Sequence, residues 1–337
     1  MVRREVRGTG RGMSRWGPSG RLDGHPACRP LRIRRFFLGN RNAAGVQCEF
    51  SRAGRGPGIR GQRSSGKSGD LMRLAWLTDI HLEFVSRPDV EAFAREVRAA
   101  GPDSVLIGGD IATAAQLVAY LELLIELLRT PIYFVLGNHD YYGGSIAAVR
   151  AEVDRLVRRR RELTWLTTSG PVPLTARTAL VGHDGWGDGG FGNAEGSPVA
   201  LNDFELIEEL RLLTYQWELL AVLRRLGEEA AEHFRSTLPL ALRDHEHIVV
   251  LTHVPPFREA AWHEGRESDE DHLPYFACRA AGEALRAVMA AHPHRRLTVL
   301  CGHTHGEGEC RVSSNLWVVT GGATYGRPRL QRVIEVE

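Results

Sequence analysis

Lysine, long apolar runs and paired cysteines are scarce in this sequence, and the last two absences exclude classes of protein. Lysine occurs once, as Lys67, beside 42 arginines. No run of eighteen or more apolar residues occurs, so we expect no membrane-spanning helix. The five cysteines include no Cys-x-x-Cys pair, which disfavours a disulfide scaffold and a structural zinc site and favours a reducing, cytoplasmic location. With 43% hydrophobic and 25% charged residues, the chain is typical of a globular protein.

The overall net charge of +2 hides two segments of opposite charge. Residues 1–70 contain 16 basic and 4 acidic residues, whereas the remaining 27 basic and 37 acidic residues give the rest of the chain a net charge of −10. Because residues 1–70 lack apolar periodicity beyond one short stretch, we predict a basic, disordered leader. Three explanations stay open for it: an arm that binds nucleic acid or anionic surfaces, a targeting peptide, or sequence upstream of a natural start at Met72.

From Met72 onward, short apolar runs alternate with segments of helical periodicity. This order predicts right-handed crossovers and a mostly parallel sheet. Later segments continue the pattern, and the tail alternates as antiparallel strands do. No linker or internal repeat follows residue 70, so we predict one domain over residues 71–337. The predicted strands are residues 73–78, 104–107, 132–136, 179–181, 248–251, 297–300, 316–320 and 330–336, and the predicted helices are residues 88–100, 114–129, 145–162 and 215–242.

Five polar clusters directly follow five of these apolar runs. Any one of them alone is more typical of a turn or a helix cap. All five at strand ends are hard to produce by chance. Because open α/β sheets bind ligands at the carboxyl ends of their strands, we expect the clusters to meet in one site. The clusters are Asp79-x-His81, Gly109-Asp110, Gly137-Asn138-His139-Asp140, Thr252-His253 and Gly302-His303-Thr304-His305.

The residue types in these clusters suit a hydrolytic site with two metal ions. Imidazole and carboxylate groups are good ligands for manganese, iron and zinc, and an asparagine carbonyl adds a neutral oxygen. One aspartate can bridge two ions through its two oxygens. Two ions about 3.5 to 4 Å apart stabilise both the attacking and the leaving oxygen of a phosphoester displacement.

In this order, the five clusters resemble the signature of the calcineurin-like metallophosphoesterases, over roughly residues 72–337. The resemblance implies an α/β fold built as a four-layer sandwich of two mixed sheets flanked by helices. It assigns residues 71–337 to a metallophosphoesterase domain with a helical insertion at about 204–242. It also implies two metal sites, one formed by Asp79, His81 and His305, the other by Asn138, His253 and His303, with Asp110 bridging them.

The resemblance further implies that His139 is the general acid or stabilises the charged transition state, with Asp140 as its orienting partner. Two branches of the family are disfavoured. The tyrosine three residues after the bridging aspartate in purple acid phosphatases is replaced by Thr113, and the Asp-Arg-Gly of protein phosphatases is replaced by Ile111-Ala112-Thr113. Bacterial phosphomonoesterases, phosphodiesterases and nucleases remain.

Three further features bear on the substrate. His183 follows a strand and is a candidate substrate contact, although a structural turn explains it equally well. The acid-rich segment 262–272 is interpreted as a surface loop, with a mobile lid as the alternative. The leucines of the region 204–242 favour core packing over a cap that restricts substrate size.

Together these observations predict a cytoplasmic enzyme that hydrolyses a small phosphomonoester or phosphodiester with a metal-bound hydroxide. A nuclease of the same superfamily is the alternative. A net charge of −10 over the catalytic part disfavours broad nucleic-acid binding, since duplex binding depends on basic side chains. A metal-bound scaffold without turnover is the alternative from another class. The sequence does not decide the metal ions or the oligomeric state.

Overall fold

The computed structural model describes residues 71–337, so the predicted leader at 1–70 lies outside the described residues. Within that range two mixed β-sheets stack face to face, with helices on both outer faces. This α/β/β/α arrangement confirms the predicted fold class. None of the helices in the described part combines the length and apolar character needed to cross a membrane.

The first sheet holds the amino-terminal part of the domain. Its four strands β1 to β4 run parallel, and the last strand of the chain, β13, pairs antiparallel with β1 at one edge. The strands are β1 (Met72–Leu77), β2 (Ser104–Gly108), β3 (Ile132–Val135), β4 (Leu163–Trp165) and β13 (Arg332–Val336), and the helices between them are α1 (Arg87–Ala99), α2 (Ala114–Leu128) and α3 (Ile146–Arg159).

The second sheet has six strands in the order β11-β12-β10-β7-β6-β5. Its four central strands are parallel and its two edge strands are antiparallel. These are β5 (Val172–Pro173), β6 (Thr178–His183), β7 (His247–Thr252), β10 (Arg296–Cys301), β11 (Gly308–Ser313) and β12 (Leu316–Thr320). The other elements are α4 (Asp203–Leu206), α5 (Glu208–Arg211), α6 (Gln216–Asp244), α7 (Leu273–Phe276), α8 (Arg279–Ala290) and a hairpin of β8 (Trp262–His263) and β9 (Arg266–Glu267).

The alternation of side chains along each strand separates three hydrophobic layers. In β1, Leu74 and Trp76 pack between the two sheets, whereas Ala75 and Leu77 pack against the first helical layer. This is the two-residue period of a strand that is buried on both faces. On the far side, α6 and α8 cover the second sheet. Both sheets thus direct the carboxyl ends of their parallel strands to one edge of the sandwich.

Each of the two tail strands has an antiparallel partner, as their alternation predicts. In the second sheet β12 is antiparallel to β11 and parallel to β10, and in the first sheet β13 is antiparallel to β1. Alternation shows which face of a strand is buried and not which strand it pairs with, so these partners could not be predicted. Helix α8 and the short strands β4, β5 and β11 were not predicted. The region 204–242 forms two short helices and most of the long α6, which packs on β6 and α8.

Candidate metal centre

The seven predicted metal ligands lie together where the strands of the two sheets end. Asp79 and His81 follow β1, Asp110 follows β2, and Asn138 follows β3 in the first sheet. The second sheet contributes His253 after β7, and His303 and His305 after β10. Five of the seven have the left-handed backbone conformation, with φ between 40° and 71°. Because such conformations cost free energy for residues other than glycine, they are typical of functional sites.

Close approach explains two of the glycines beside these residues. A Cβ on Gly302 would overlap the carboxylate of Asp79 and the hydroxyl of Thr78, and a Cβ on Gly137 would overlap Asp110. The chain turns between strand end and ligand with no space for a side chain. Glycine is thus required at these turns because of steric contact rather than flexibility.

One group of donor atoms is formed by Asp79, His81, Asp110 and His305, whose nearest donor atoms all lie within 4.8 Å of one another. The Nε2 atoms of His81 and His305 are 3.1 Å apart. The Nε2 atom of His81 is 3.6 Å from Asp110 Oδ2, and that of His305 is 3.6 Å from Asp79 Oδ1. Thr78 Oγ1 and the backbone N–H of His303 donate to the carboxylate of Asp79 and hold it in place.

A second group consists of Asn138, His253 and His303. Hydrogen bonds from the two rings to backbone carbonyls on the side away from the group fix which ring nitrogens point toward its centre. His253 Nδ1 donates to Gly108 O (2.9 Å), and His303 Nε2 donates to Tyr275 O (3.1 Å), since a carbonyl only accepts. The inward atoms, His253 Nε2 and His303 Nδ1, therefore carry lone pairs. They lie 3.1 and 3.0 Å from Asn138 Oδ1 and 3.2 Å from each other.

Three lone pairs that converge without a proton between them repel one another, so this arrangement fits a cation at their centre. Burial lowers the pKa of His253 to about 3 and that of His303 to about 4. Both rings are thus neutral near pH 7, as metal ligation requires. Burial, followed by the charges of Asp79 and Asp140, raises the pKa of Asp110 well above its usual value. A cation would relieve this concentration of buried negative charge.

Asp110 lies between the two groups. Its Oδ2 faces His81 Nε2 at 3.6 Å, and its Oδ1 faces His253 Nε2 at 3.5 Å. The backbone N–H of His139 donates to Oδ1 at 2.9 Å and fixes the carboxylate. Each oxygen therefore faces one donor group, which is the arrangement that a bridging ligand needs.

His139 lies beside the cluster with its ring held on three sides. The ring stacks on Tyr142 with a centroid distance of 4.1 Å. Its Nδ1 is 3.7 Å from Glu83 Oε1, and its Nε2 is 3.4 Å from the hydroxyl of Tyr325. Nε2 is thus the nitrogen that faces the cavity.

The structure does not support Asp140 as the orienting partner of His139. The buried carboxylate of Asp140 accepts hydrogen bonds from the backbone N–H groups of Ile111, Ala112 and Gly137. Asp140 therefore holds two of the loops that carry the predicted ligands. The carboxylate beside the His139 ring is Glu83, which lies between His139 Nδ1 and His81 Nδ1, at 3.5 Å from the latter. Its oxygens have no hydrogen-bond partner among the described residues.

The structure places His183 outside the lining of the cavity described below, so its position does not support the predicted substrate contact. It lies at the end of β6 but is buried, with its ring 5.2 Å from that of His233 in α6. Its Nδ1 accepts a hydrogen bond from the backbone N–H of Gly185. The residue thus stabilises the turn after β6.

A cavity of about 290 Å³ opens over the candidate metal ligands. One wall is apolar and formed by residues 198–201 and Phe276, and Tyr142 and Tyr325 flank His139. The segment 262–272 contributes polar side chains to the lining, so this predicted surface loop also forms part of the cavity. The buried Asp203 accepts hydrogen bonds from Asn138 Nδ2 and from the hydroxyl of Tyr142.

Sequence reasoning missed Glu83, Asp203 and Tyr325. A signal for Glu83 was present, because it continues the two-residue spacing of Asp79-x-His81. Asp203 begins the short helix α4, and Tyr325 lies five residues after β12. Neither belongs to a polar cluster directly after a strand, so the pattern held no comparable signal for them.

The fold and the cluster of carboxylate and imidazole side chains are those of a family of metal-dependent phosphoesterases. More particularly, the chain belongs to the calcineurin-like phosphoesterase family, whose model matches residues 72–307. This membership confirms the resemblance found in the sequence.

The sequence identity to individual relatives is low. A Danio rerio protein named transmembrane protein with metallophosphoesterase domain is 30% identical over 122 residues, which cover 32% of this chain and 28% of that protein. The chain thus matches less than a third of that relative's length. The solved structure of a phosphopantetheinyl hydrolase from Mycobacterium tuberculosis has the same fold, with 16% identity, a TM-score of 0.55 and coverage of 78% of this chain and 95% of the other. A dimetal phosphatase from Danio rerio gives 13% identity, a TM-score of 0.49 and coverage of 76% and 89%.

The close contact at Gly302 leads to a testable prediction. A Gly302→Ala substitution is expected to displace Asp79, lower the metal content and reduce the free energy of unfolding by about 1–3 kcal/mol, as overpacking does. Gly170→Ala is the control, because a Cβ there would meet no described atom within 4 Å. Thermal melts and metal analysis measure both effects. Equal melting temperatures and equal metal contents for the two variants would show that the contact is not restrictive.

Proposed function

We propose that this chain hydrolyses a small phosphoester at two metal ions, with manganese, iron or zinc as candidates. The convergence of Asn138 Oδ1, His253 Nε2 and His303 Nδ1, which lie within 3.2 Å of one another with no proton between them, carries the proposal. When bound, the ions would activate a water molecule and neutralise charge on the phosphoryl oxygens. One ion would be held by Asp79, His81 and His305, the other by Asn138, His253 and His303, and Asp110 would bridge them.

His139 would act on the leaving group. Its Nε2 faces the cavity while Tyr142 supports the ring face, so a proton on Nε2 would point toward the leaving oxygen of an ester bound there. The carboxylate of Glu83 lies 3.7 Å from Nδ1, the other nitrogen of the ring. Because Tyr142, Glu83 and Tyr325 hold the ring in place, it would need little reorganisation before it protonates the departing oxygen. The hydroxyl of Tyr325, which lies near Nε2, would donate its hydrogen bond to a phosphoryl oxygen of a bound substrate instead.

The cavity supports a small substrate with a single phosphate. Its volume of about 290 Å³ suits a small organic molecule, and the apolar wall suits a carbon chain. None of the described residues that line it is lysine or arginine. Nucleic-acid binding depends on such side chains, which disfavours the nuclease alternative.

A cytoplasmic location is part of the proposal. Cys278, Cys301 and Cys310 form no disulfide in the described range, and two of them are buried. Unpaired buried thiols are typical of proteins in a reducing compartment.

A substrate panel with the full chain tests this function. We expect Mn²⁺-dependent turnover of p-nitrophenyl phosphate or of bis-(p-nitrophenyl) phosphate that exceeds cleavage of single-stranded DNA, with loss of activity after chelation. Faster cleavage of DNA would favour a nuclease. A protein that binds metal without turnover would be the non-catalytic scaffold, and one that neither binds metal nor turns over after Mn²⁺ addition would overturn the proposal.

A further inference from the structure

Two histidines that are not among the predicted metal ligands, His263 and His272, also line the cavity. His263 is in the hairpin strand β8, and His272 directly precedes α7. The ring of Phe276 contacts both, with centroid distances of 5.2 and 5.3 Å, and is 5.5 Å from the ring of the candidate ligand His303. The same phenyl ring thus contacts both imidazoles and one candidate metal ligand.

In each ring, the Nδ1 atom already has a hydrogen-bond partner. His263 Nδ1 lies 3.2 Å from Thr304 O, and His272 Nδ1 lies 2.8 Å from Asp269 Oδ1. A carbonyl and a carboxylate only accept hydrogen bonds, so each Nδ1 carries a proton. Nε2 is then the nitrogen left to bind a ligand, and it accepts a hydrogen bond when the ring carries a single proton.

The charges around the pair disfavour an anionic group. Asp269 and Asp271 line the same cavity, and no described lining residue is lysine or arginine. A carboxylate or a second phosphate on the substrate would face these two aspartates without a permanent counter-charge. A hydroxyl group can donate to the imidazoles without this penalty.

We propose that His263 and His272 form a subsite for the alcohol part of the phosphoester, where they accept hydrogen bonds from its hydroxyl groups. The inference rests on the proposed function and specifies the substrate class as phosphoesters of small polyols. Residues 198–201 would contact the carbon chain between the ester and the hydroxyl groups.

Substrates of matched size test the subsite with the full chain and Mn²⁺. Glycerol 1-phosphate is expected to have a kcat/KM about 3- to 10-fold above that of propyl phosphate, which is the fold-change typical of a neutral hydrogen bond. The carboxylate of 3-phosphoglycerate should make it the poorest of the three. If the enzyme cleaves only diesters, the methyl diesters of the same alcohols replace the monoesters.

The variants His263→Phe and His272→Phe retain an aromatic ring against Phe276 and remove the acceptor nitrogens. Each is expected to bring the ratio of kcat/KM between glycerol 1-phosphate and propyl phosphate close to one. His294→Phe, at an exposed position outside the cavity, is the control and should keep the wild-type ratio.

The outcomes separate the subsite from the proposed function. A wild-type ratio of one, a ratio that neither variant changes, or a preference for 3-phosphoglycerate would overturn the subsite alone. Failure to hydrolyse either class of ester would overturn the proposed function, and the subsite with it.

Discussion

An Asp110→Asn variant is expected to lose metal binding and activity together. Asparagine cannot present two anionic oxygens, and Asp110 directs one oxygen to each of the two donor groups. We expect metal analysis to find less than one ion per chain and kcat/KM to fall at least about 10³-fold, because several kcal/mol of charge stabilisation would be lost. Asp244→Asn, at an exposed position at the end of α6, is the matched control and should keep both properties.

Stability measurements separate loss of metal from loss of fold. Without metal, burial and the charges of Asp79 and Asp140 destabilise the ionised form of Asp110 and raise its pKa. Asparagine has no ionised form and avoids this cost, so the metal-free variant should melt at or above the temperature of the metal-free wild type. Metal at 100 times its dissociation constant would stabilise the wild type by about 2.7 kcal/mol, or about 5 to 10 °C for a domain of this size. A large rise on adding metal to the variant would contradict the bridging role.

The sequence predicted the candidate ligands well because each follows a buried strand within a few residues. Strand ends on one edge of a sheet are brought together by the fold itself, so local pattern and chain order were sufficient for Asp79 or His303. The short apolar run before His183 gave the same signal. The structure shows that the side chain of His183 is instead buried beside His233 of α6.

Residues that reach the site from irregular segments could not be predicted in this way. Asp203, His272 and Tyr325 lie in or beside loops whose path depends on tertiary packing, and no periodicity constrains that path. The partner of β13 was equally hidden, because its pairing with β1 spans more than 250 residues of sequence. Long-range contacts of this kind depend on the assembled core rather than on local propensity.

The variant His139→Ala is expected to retain its metal ions and lose most of its turnover. Its ring carries none of the inward-facing donor atoms of the two groups, so metal content should match that of the control His294→Ala. Loss of a general acid typically lowers the rate about 10²- to 10⁴-fold. The loss should be larger for phenyl phosphate than for p-nitrophenyl phosphate, because phenolate is the poorer leaving group and depends more on protonation. Equal losses for both esters would indicate that His139 only stabilises charge on the phosphoryl group.

Glu83→Gln is expected to act through His139, and the double variant reveals whether it does. Glu83 contacts the nitrogen of His139 that faces away from the cavity, so its carboxylate should affect how well the ring delivers a proton. Removing a carboxylate that orients a functional imidazole typically costs about 10- to 100-fold. In a His139→Ala background the same substitution should change kcat by about twofold or less, because its target is gone. Glu83 also contacts His81, so a reduced metal content or a full additional loss in the double variant would indicate that it acts on the metal centre instead.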